Sequence, residues 1–227
     1  MIIFGKQVCL YVLKRHCDII CEIYLSKEVD RELFQKLVKT GKKIIRIDNK
    51  KAQALSRGGN HQGILFRVKE YEFASLKDLK EGKFLLVLYS ITDSGNIGAI
   101  VRTAYALGVD GIVITGVKSV NLEAIARTSS GALFDMPLSL HKNALEILNE
   151  LKQKDFTIYA ADVDGEDIER VDFSDRKVLI LGSEGEGISK KILNIADKVI
   201  TIKLKREFDS LNVSAAAAIL CYRMSNG

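Results

Sequence analysis

The chain has 227 residues, 47% of them hydrophobic, with a net charge of +5. That length suits one large domain or two smaller ones with a sizeable core, and a single proline with no biased tract argues against a disordered or fibrous chain. No apolar run approaches the ~18 to 20 residues of a membrane span. The start, MIIFGKQVCL, has no leader cleavage pattern, so the expectation is a soluble cytoplasmic protein.

The first 70 residues read as a compact α/β unit. QVCLYVLK (7–14) predicts a short helix, CEIYLS (21–26) a strand, and DRELFQKLVKTG (30–41) a helix with Asp30 as N-cap and Gly41 as its stop. KIIRID (43–48) and GILFRV (63–68) predict strands, and SRGGNHQG between them a turn. The lysine- and glutamate-rich stretch around 71–82 predicts a linker. From 83 to 227 strands and helices alternate, with strands at FLLVLY, GIVIT, TIYAAD, KVLILG and KVITIK. Helices are expected at 97–108, 122–133, 144–153, 190–196 and 213–223. Short continuous apolar strands of this kind belong to a parallel sheet covered on both faces. Such a sheet binds its ligand beyond the carboxyl ends of its strands.

Charge is unevenly placed. Residues 1–70 hold 15 Lys/Arg and 7 Asp/Glu, a net +8, against 19 and 22 in residues 71–227, a net −3. The stretch 39–59 carries seven basic residues and only Asp48 in opposition. This asymmetry favours a polyanionic partner such as RNA; a solvated basic face is the alternative. The cysteines, Cys9, Cys17, Cys21 and Cys221, form no C-x-x-C pair, and His16, His61 and His141 are scattered. No metal site is expected, and the thiols read as buried and reduced.

Three loops follow strands and carry polar groups. After FLLVLY comes SITDSGNIGAIVRTAYALG, where Asn96 reads as a helix N-cap and Arg102 lies off the apolar stripe, leaning toward the loop end of the helix. A solvated arginine and a plain cap are the bland readings. After KVLILG comes SEGEGIS; Gly182, which ends the strand, and Gly185 and Gly187 of the loop do not make the dinucleotide fingerprint. Glu184 between them suits a neutral or cationic ligand better than a phosphate. After KVITIK comes LKREFDSLNVS, with Ser210, Asn212 and Ser214 at the mouth of the last helix. The set lacks a cysteine or histidine nucleophile and paired carboxylates. It suits positioning and electrostatic work rather than covalent catalysis.

NIGAIVRTAYALGVDGIVI, LILGSEGEGIS and DSLNVSAAAAI, in this order, resemble the three motifs of the SpoU family of S-adenosylmethionine-dependent RNA ribose 2′-O-methyltransferases, within the trefoil-knot superfamily. RTSSGAL (127–133) resembles a further family segment. FGKQVCLYVLK and NHQGI (60–64) resemble the family's small, ribosomal-protein-like substrate-binding domain. The resemblance implies a small α/β RNA-binding domain (1–70), a linker (71–82) and a knotted α/β methyltransferase domain with a parallel sheet (83–227). It implies Arg102, Asn96, Glu184, Ser210 and Asn212 as catalytic residues, and Gly182, Ile202 and Leu211 in the S-adenosylmethionine pocket. It also implies a homodimer joined at the knot domain. The substrate it points to is RNA, first a guanosine of large-subunit (23S) ribosomal RNA, with transfer RNA as the alternative. The family's proline and glycine ahead of the third motif are replaced by Lys203 and Arg206, two cations that could extend an RNA-contacting face. A non-catalytic RNA-binding protein on the same fold is the rival reading; a nucleotide-dependent oxidoreductase is disfavoured by the absent fingerprint. Ser214 has no role beyond the first turn of its helix.

Overall fold

The computed structural model describes residues 1–226; Gly227, the predicted end of the C-terminal domain, lies outside them. In chain order the first elements are β1 (Ile2–Phe4), α1 (Lys6–Arg15), β2 (Ile20–Leu25), α2 (Arg31–Lys39), β3 (Lys43–Arg46), α3 (Asn49–Leu55) and β4 (Ile64–Val68). Then come α4 (Leu76–Leu79), β5 (Phe84–Tyr89), α5 (Ser94–Ala106), β6 (Gly111–Thr115), α6 (Leu122–Thr128), β7 (Leu138–His141) and α7 (Ala144–Lys152). The chain closes with β8 (Thr157–Asp167), β9 (Lys177–Gly182), α8 (Lys190–Leu193), β10 (Lys198–Thr201) and α9 (Val213–Asn226). These elements form two compact units, Met1–Glu72 with Asn121–Asp135, and Phe73–Val120 with the described chain from Met136 onward.

In the N-terminal unit the sheet order is β1-β4-β2-β3, with β4 antiparallel to both of its neighbours and β3 parallel to β2. Asp30 caps α2 as expected, its Oδ1 accepting from Leu33 N at 2.8 Å, and the chain leaves the helix through Gly41 at φ +67°. Two elements of this unit escaped the sequence reading. β1 is only three residues long, and α3 lies inside the basic stretch, where Asp48 Oδ1 accepts from Lys51 N at 2.7 Å and starts a helix. The sequence-distant FGK and NHQGI segments meet: Gln62 Oε1 accepts from Lys6 N at 2.8 Å, and Gly5 N donates to Ile64 O at 3.2 Å.

The segment Asn121–Asp135 was expected in the C-terminal domain and packs with this unit. One helix was expected over 122–133. α6 ends at Thr128 instead, because Ser130 (φ +55°) and Gly131 (φ +97°) turn left-handed. Ser129 Oγ locks the break, donating to Ala126 O and accepting from Leu133 N, both at 3.2 Å. Asp135 ends the segment against α1: it accepts from Tyr11 Oη and from Arg15 Nε at 2.9 Å, and His16 Nε2 stands 3.2 Å away.

The C-terminal unit is built on a six-stranded sheet, order β10-β8-β9-β5-β6-β7, parallel at every pairing. Its strands are apolar on both faces. Leu85, Val87, Val113, Ile158 and Val178 pack with Ile147, Leu148 and Leu151 of α7 on one side; the alternate residues Leu86, Leu88, Ile112, Ile114 and Leu179 are fully buried on the other. The expected linker is not structureless. It contains α4, whose Leu76 and Leu79 join this core, with Ser75 as its N-cap.

Chain direction across the sheet reverses beside β5. The strands run outward from β5 through β6 to β7, and the chain then returns to lay β8, β9 and β10 on the other side. Loops after β5 and β9 therefore leave a common edge at the point where strand order switches. β8 is longer than the expected TIYAAD and holds an irregularity. Val199 pairs with Ala160 while Ile200 pairs with Glu166, so residues 161–165 bow out of the ladder. Gly165 returns the strand against Ile200: an added Cβ would lie 2.6 Å from Ile200 N and 2.7 Å from its Cα. Among the described residues no helix is long and apolar enough to cross a membrane. Cys9 and Cys221 are buried, and burial pushes the Cys221 thiol up to about 12 and that of Cys9 higher still. Cys17 and Cys21, expected buried, are half-buried.

Candidate active site

Three loops at the carboxyl edge of the parallel sheet supply the polar groups. The first opens α5. Asp93, rather than Asn96, caps this helix, its Oδ1 accepting from Asn96 N at 2.7 Å. Asn96 sits in the first turn and its side chain is released from capping. The second loop follows β9. Ser183 and Gly187 form an isolated bridge, with Gly187 N donating to Ser183 O at 2.9 Å, and Gly187 adopts φ +63°. This hairpin-like turn closes tightly over Gly182, where an added Cβ would lie 2.6 Å from Gly187 O. Glu184 rides on the turn. The third loop runs from β10 into α9, and Asn212 caps that helix through Oδ1, which accepts from Ser214 N at 2.9 Å.

The side chains of Asn96, Glu184 and Asn212 meet. Glu184 Oε1 accepts from Asn212 Nδ2 at 2.6 Å, from Asn96 Nδ2 at 3.3 Å and from the backbone Val213 N at 3.3 Å. Asn212 Nδ2 also donates to Asn96 Oδ1 at 3.0 Å, closing a triangle. The carboxylate sits at the N-terminus of a 14-residue helix, where the helix dipole favours a negative charge. Three segments far apart in sequence are thereby fixed in one register. Arg102 lies six residues beyond Asn96 on α5 and is exposed. Ser210 is exposed in the third loop, two residues before Asn212.

Beside the triangle lies a cavity of ≈ 650 Å³. Its walls are the bowed residues Ala161–Val163 of β8, the 182–187 turn, and the third loop from Ile202 to Leu211, with α9 behind. Gly182, Ile202, Leu211, Glu184 and Ser210 all line it, and so do Lys203 and Arg206. The β8 wall was not anticipated. Its sequence signal was weak, since a strand reading of TIYAAD gives no reason for residues 161–165 to leave the ladder. Asp93 was also passed over, and Ser214 was named without a role beyond its helix turn; Asp93 had a usable signal, an N-capping residue type three positions ahead of the amide from which it accepts.

The profile of the SpoU rRNA methylase family matches residues 83–222, and that of the RNA 2′-O ribose methyltransferase substrate-binding domain matches residues 2–74. The chain belongs to the SpoU rRNA methylase family. It is 33% identical over 218 residues to an uncharacterized tRNA/rRNA methyltransferase of Borreliella burgdorferi, covering 89% of this chain and 96% of that protein. It is 29% identical over 235 residues to YacO of Bacillus subtilis, whose name places it with the TrmH family of tRNA/rRNA methyltransferases, covering 98% and 94%. In three dimensions it superposes on the SpoU methyltransferase AviRb of Streptomyces viridochromogenes, solved with AdoMet, with a TM-score of 0.81 at 20% identity, covering 99% and 89% of the two chains. The fold is that of the trefoil-knot methyltransferases, with a small substrate-binding domain ahead of the knotted domain. As a family member the chain is an S-adenosylmethionine-dependent RNA 2′-O-ribose methyltransferase.

The cavity fits that cofactor. Its volume is within the roughly 300–1,000 Å³ typical of small-molecule sites. Ile202, Leu204 and Leu211 offer apolar walls for a base and ribose, and Asp162 and Glu184 favour a sulfonium cation over a phosphate.

Proposed function

We propose that the protein methylates a ribose 2′-hydroxyl of ribosomal RNA, with a guanosine of the large-subunit (23S) RNA as target. The preceding substrate-binding domain and its charge support a ribosomal substrate. S-adenosylmethionine supplies an electrophilic methyl group; the residues of this chain bind, orient and stabilise. An arginine side chain donates and does not accept, so the hydroxyl proton passes to solvent as the oxygen takes the methyl group and the thioether departs, while Arg102 stabilises the developing alkoxide and orients the adjacent phosphate. Asn96, Glu184, Ser210 and Asn212 hold the ribose, the arginine and the pocket in register. Gly182, Ile202 and Leu211 wall the methyl donor. Residues 1–70 form the RNA-binding domain and 83–227 the methyltransferase domain, joined through 71–82.

The observation that carries this reading is the Asn96–Glu184–Asn212 triangle at the rim of the cavity. It joins the three motif loops through side chains that a non-catalytic RNA-binding protein would have no need to keep together. Lys203 and Arg206, at the same rim, extend the RNA-contacting face. We infer a homodimer in the cytoplasm, paired through the knotted domain; the exposed Ile219 and Tyr222 of α9 supply an apolar surface for pairing. Calorimetric titration with S-adenosylmethionine and single-turnover methyl transfer test the assignment together. Arg102→Ala is expected to bind the cofactor like the parent and to transfer no methyl group. Near-parental turnover in that variant would remove Arg102 from the mechanism.

A further inference from the structure

We propose that Ser214 is a positioning residue for methyl transfer, acting through the carboxamide of Asn212. An asparagine side chain can face its partners in two ways, exchanging its oxygen and its NH2 group. In this site one orientation builds the triangle and the other destroys it. With Nδ2 toward Glu184 and Asn96, both of its hydrogens find acceptors, at 2.6 and 3.0 Å. Turned over, Asn212 would set its oxygen against the Glu184 carboxylate, acceptor against acceptor.

Ser214 enforces the first orientation from the opposite side. Its backbone N–H donates to Asn212 Oδ1 at 2.9 Å and its hydroxyl donates to the same oxygen at 2.6 Å. A backbone N–H can only donate. The hydroxyl adds a second, shorter donor, so Oδ1 accepts two bonds while Nδ2 gives two, and the carboxamide is saturated. Helix capping alone explains the backbone bond; any residue but proline at 214 would supply it. The hydroxyl bond is surplus to capping and is spent on the side chain that holds Glu184 and Asn96. This role rests on the reading of the Asn96–Glu184–Asn212 cluster as part of the methyltransferase site.

The test uses the full chain, S-adenosylmethionine, and bulk RNA from cells lacking the gene. Ser214→Ala keeps the backbone cap and removes only the hydroxyl. Loss of one such bond is expected to lower kcat about five- to tenfold, with the KM for S-adenosylmethionine within about twofold of the parent. Ser214→Thr is expected to keep kcat within about twofold, and Ser214→Val, which shares the shape of threonine, to fall with alanine. The threonine–valine pair decides the question even if the alanine variant folds poorly. In an Asn212→Ala background, Ser214→Ala is expected to cost nothing further. Equal kcat for the threonine and valine variants overturns the inference, as do losses that multiply in the double variant. If Asn212→Ala alone leaves kcat intact, the reading of the cluster fails instead, and the two failures are distinguished.

Discussion

Glu184 serves two purposes through one oxygen. Oε1 binds Asn96 and Asn212 and also Val213 N at the start of α9, so it both assembles the polar cluster and anchors a helix. Glu184→Gln keeps the shape and removes the charge. Turnover should fall about tenfold or more, from weakened charge-assisted bonds. The melting temperature should drop by the equivalent of only ~0.3–1 kcal/mol, from the lost dipole interaction. Kinetics and thermal unfolding of the same preparation check both. Asp135 offers a separate test in the N-terminal unit. Burial raises its pKa, but hydrogen bonds from Tyr11, Arg15 and His16 together outweigh burial and hold it below the usual carboxylate range. A depressed folded-state pKa gives stability that is present above the unfolded value, about 3.9, and lost as pH falls through the folded value. Asp135→Asn should therefore melt lower than the parent at neutral pH, with the gap closing below about pH 4. A gap independent of pH would contradict the ionic account. At this scale residue type and motif position together singled out Asn96, Glu184 and Asn212, whose side chains meet in the structure, although Asp93 takes the capping place read for Asn96. The sequence was silent on Ser214, whose role depends on which atom of Asn212 it faces.

At the level of elements, the cavity depends on chain paths that leave regular structure. The bow at 161–165 forms one wall, and Gly165 brings β8 back against Ile200 at a distance no side chain tolerates. Gly165→Ala should separate β8 from β10 and destabilise the protein by ~1–3 kcal/mol, as overpacking does, measured by denaturant unfolding. Cofactor affinity should fall with it, since Ile202 follows β10 directly. A fully stable Gly165→Ala variant with parental affinity would show that the two strands do not share this wall. Long apolar strands and helices with clear caps were legible in advance, as α2 was. β1 and β7, at three and four residues, carry too little periodicity to read. α3 was masked by its lysines, and the break in α6 by a Thr-Ser-Ser-Gly run whose left-handed turn shows no change in hydrophobic pattern. That break matters, because Asn121–Asp135 packs with the N-terminal unit despite its place in the chain.

For the molecule as a whole, charge and chemistry are divided between sequence regions. The basic excess lies in residues 1–70 and the polar cluster in the loops of the parallel sheet. Lys39, Lys43, Lys50 and Lys51 are exposed. Replacing all four with alanine should weaken RNA binding and flatten the slope of log K against log salt by up to about 3 to 4, if each contacts a phosphate. Cofactor affinity should be unchanged, as read by calorimetry. An unaltered salt slope would assign RNA binding to other residues. The fold class was legible from the strand pattern and motif order. The knot was not legible from composition or periodicity, since threading leaves no mark on either and entered only through family resemblance. The central claim is ribose methylation of a ribosomal RNA, and transcriptome-wide mapping of 2′-O-methyl groups in cells with and without this gene tests it most directly. The account predicts the loss of one mark, on a guanosine of the large-subunit RNA, restored by the parent gene and not by Arg102→Ala. An unchanged methylation map in cells lacking the gene would contradict it.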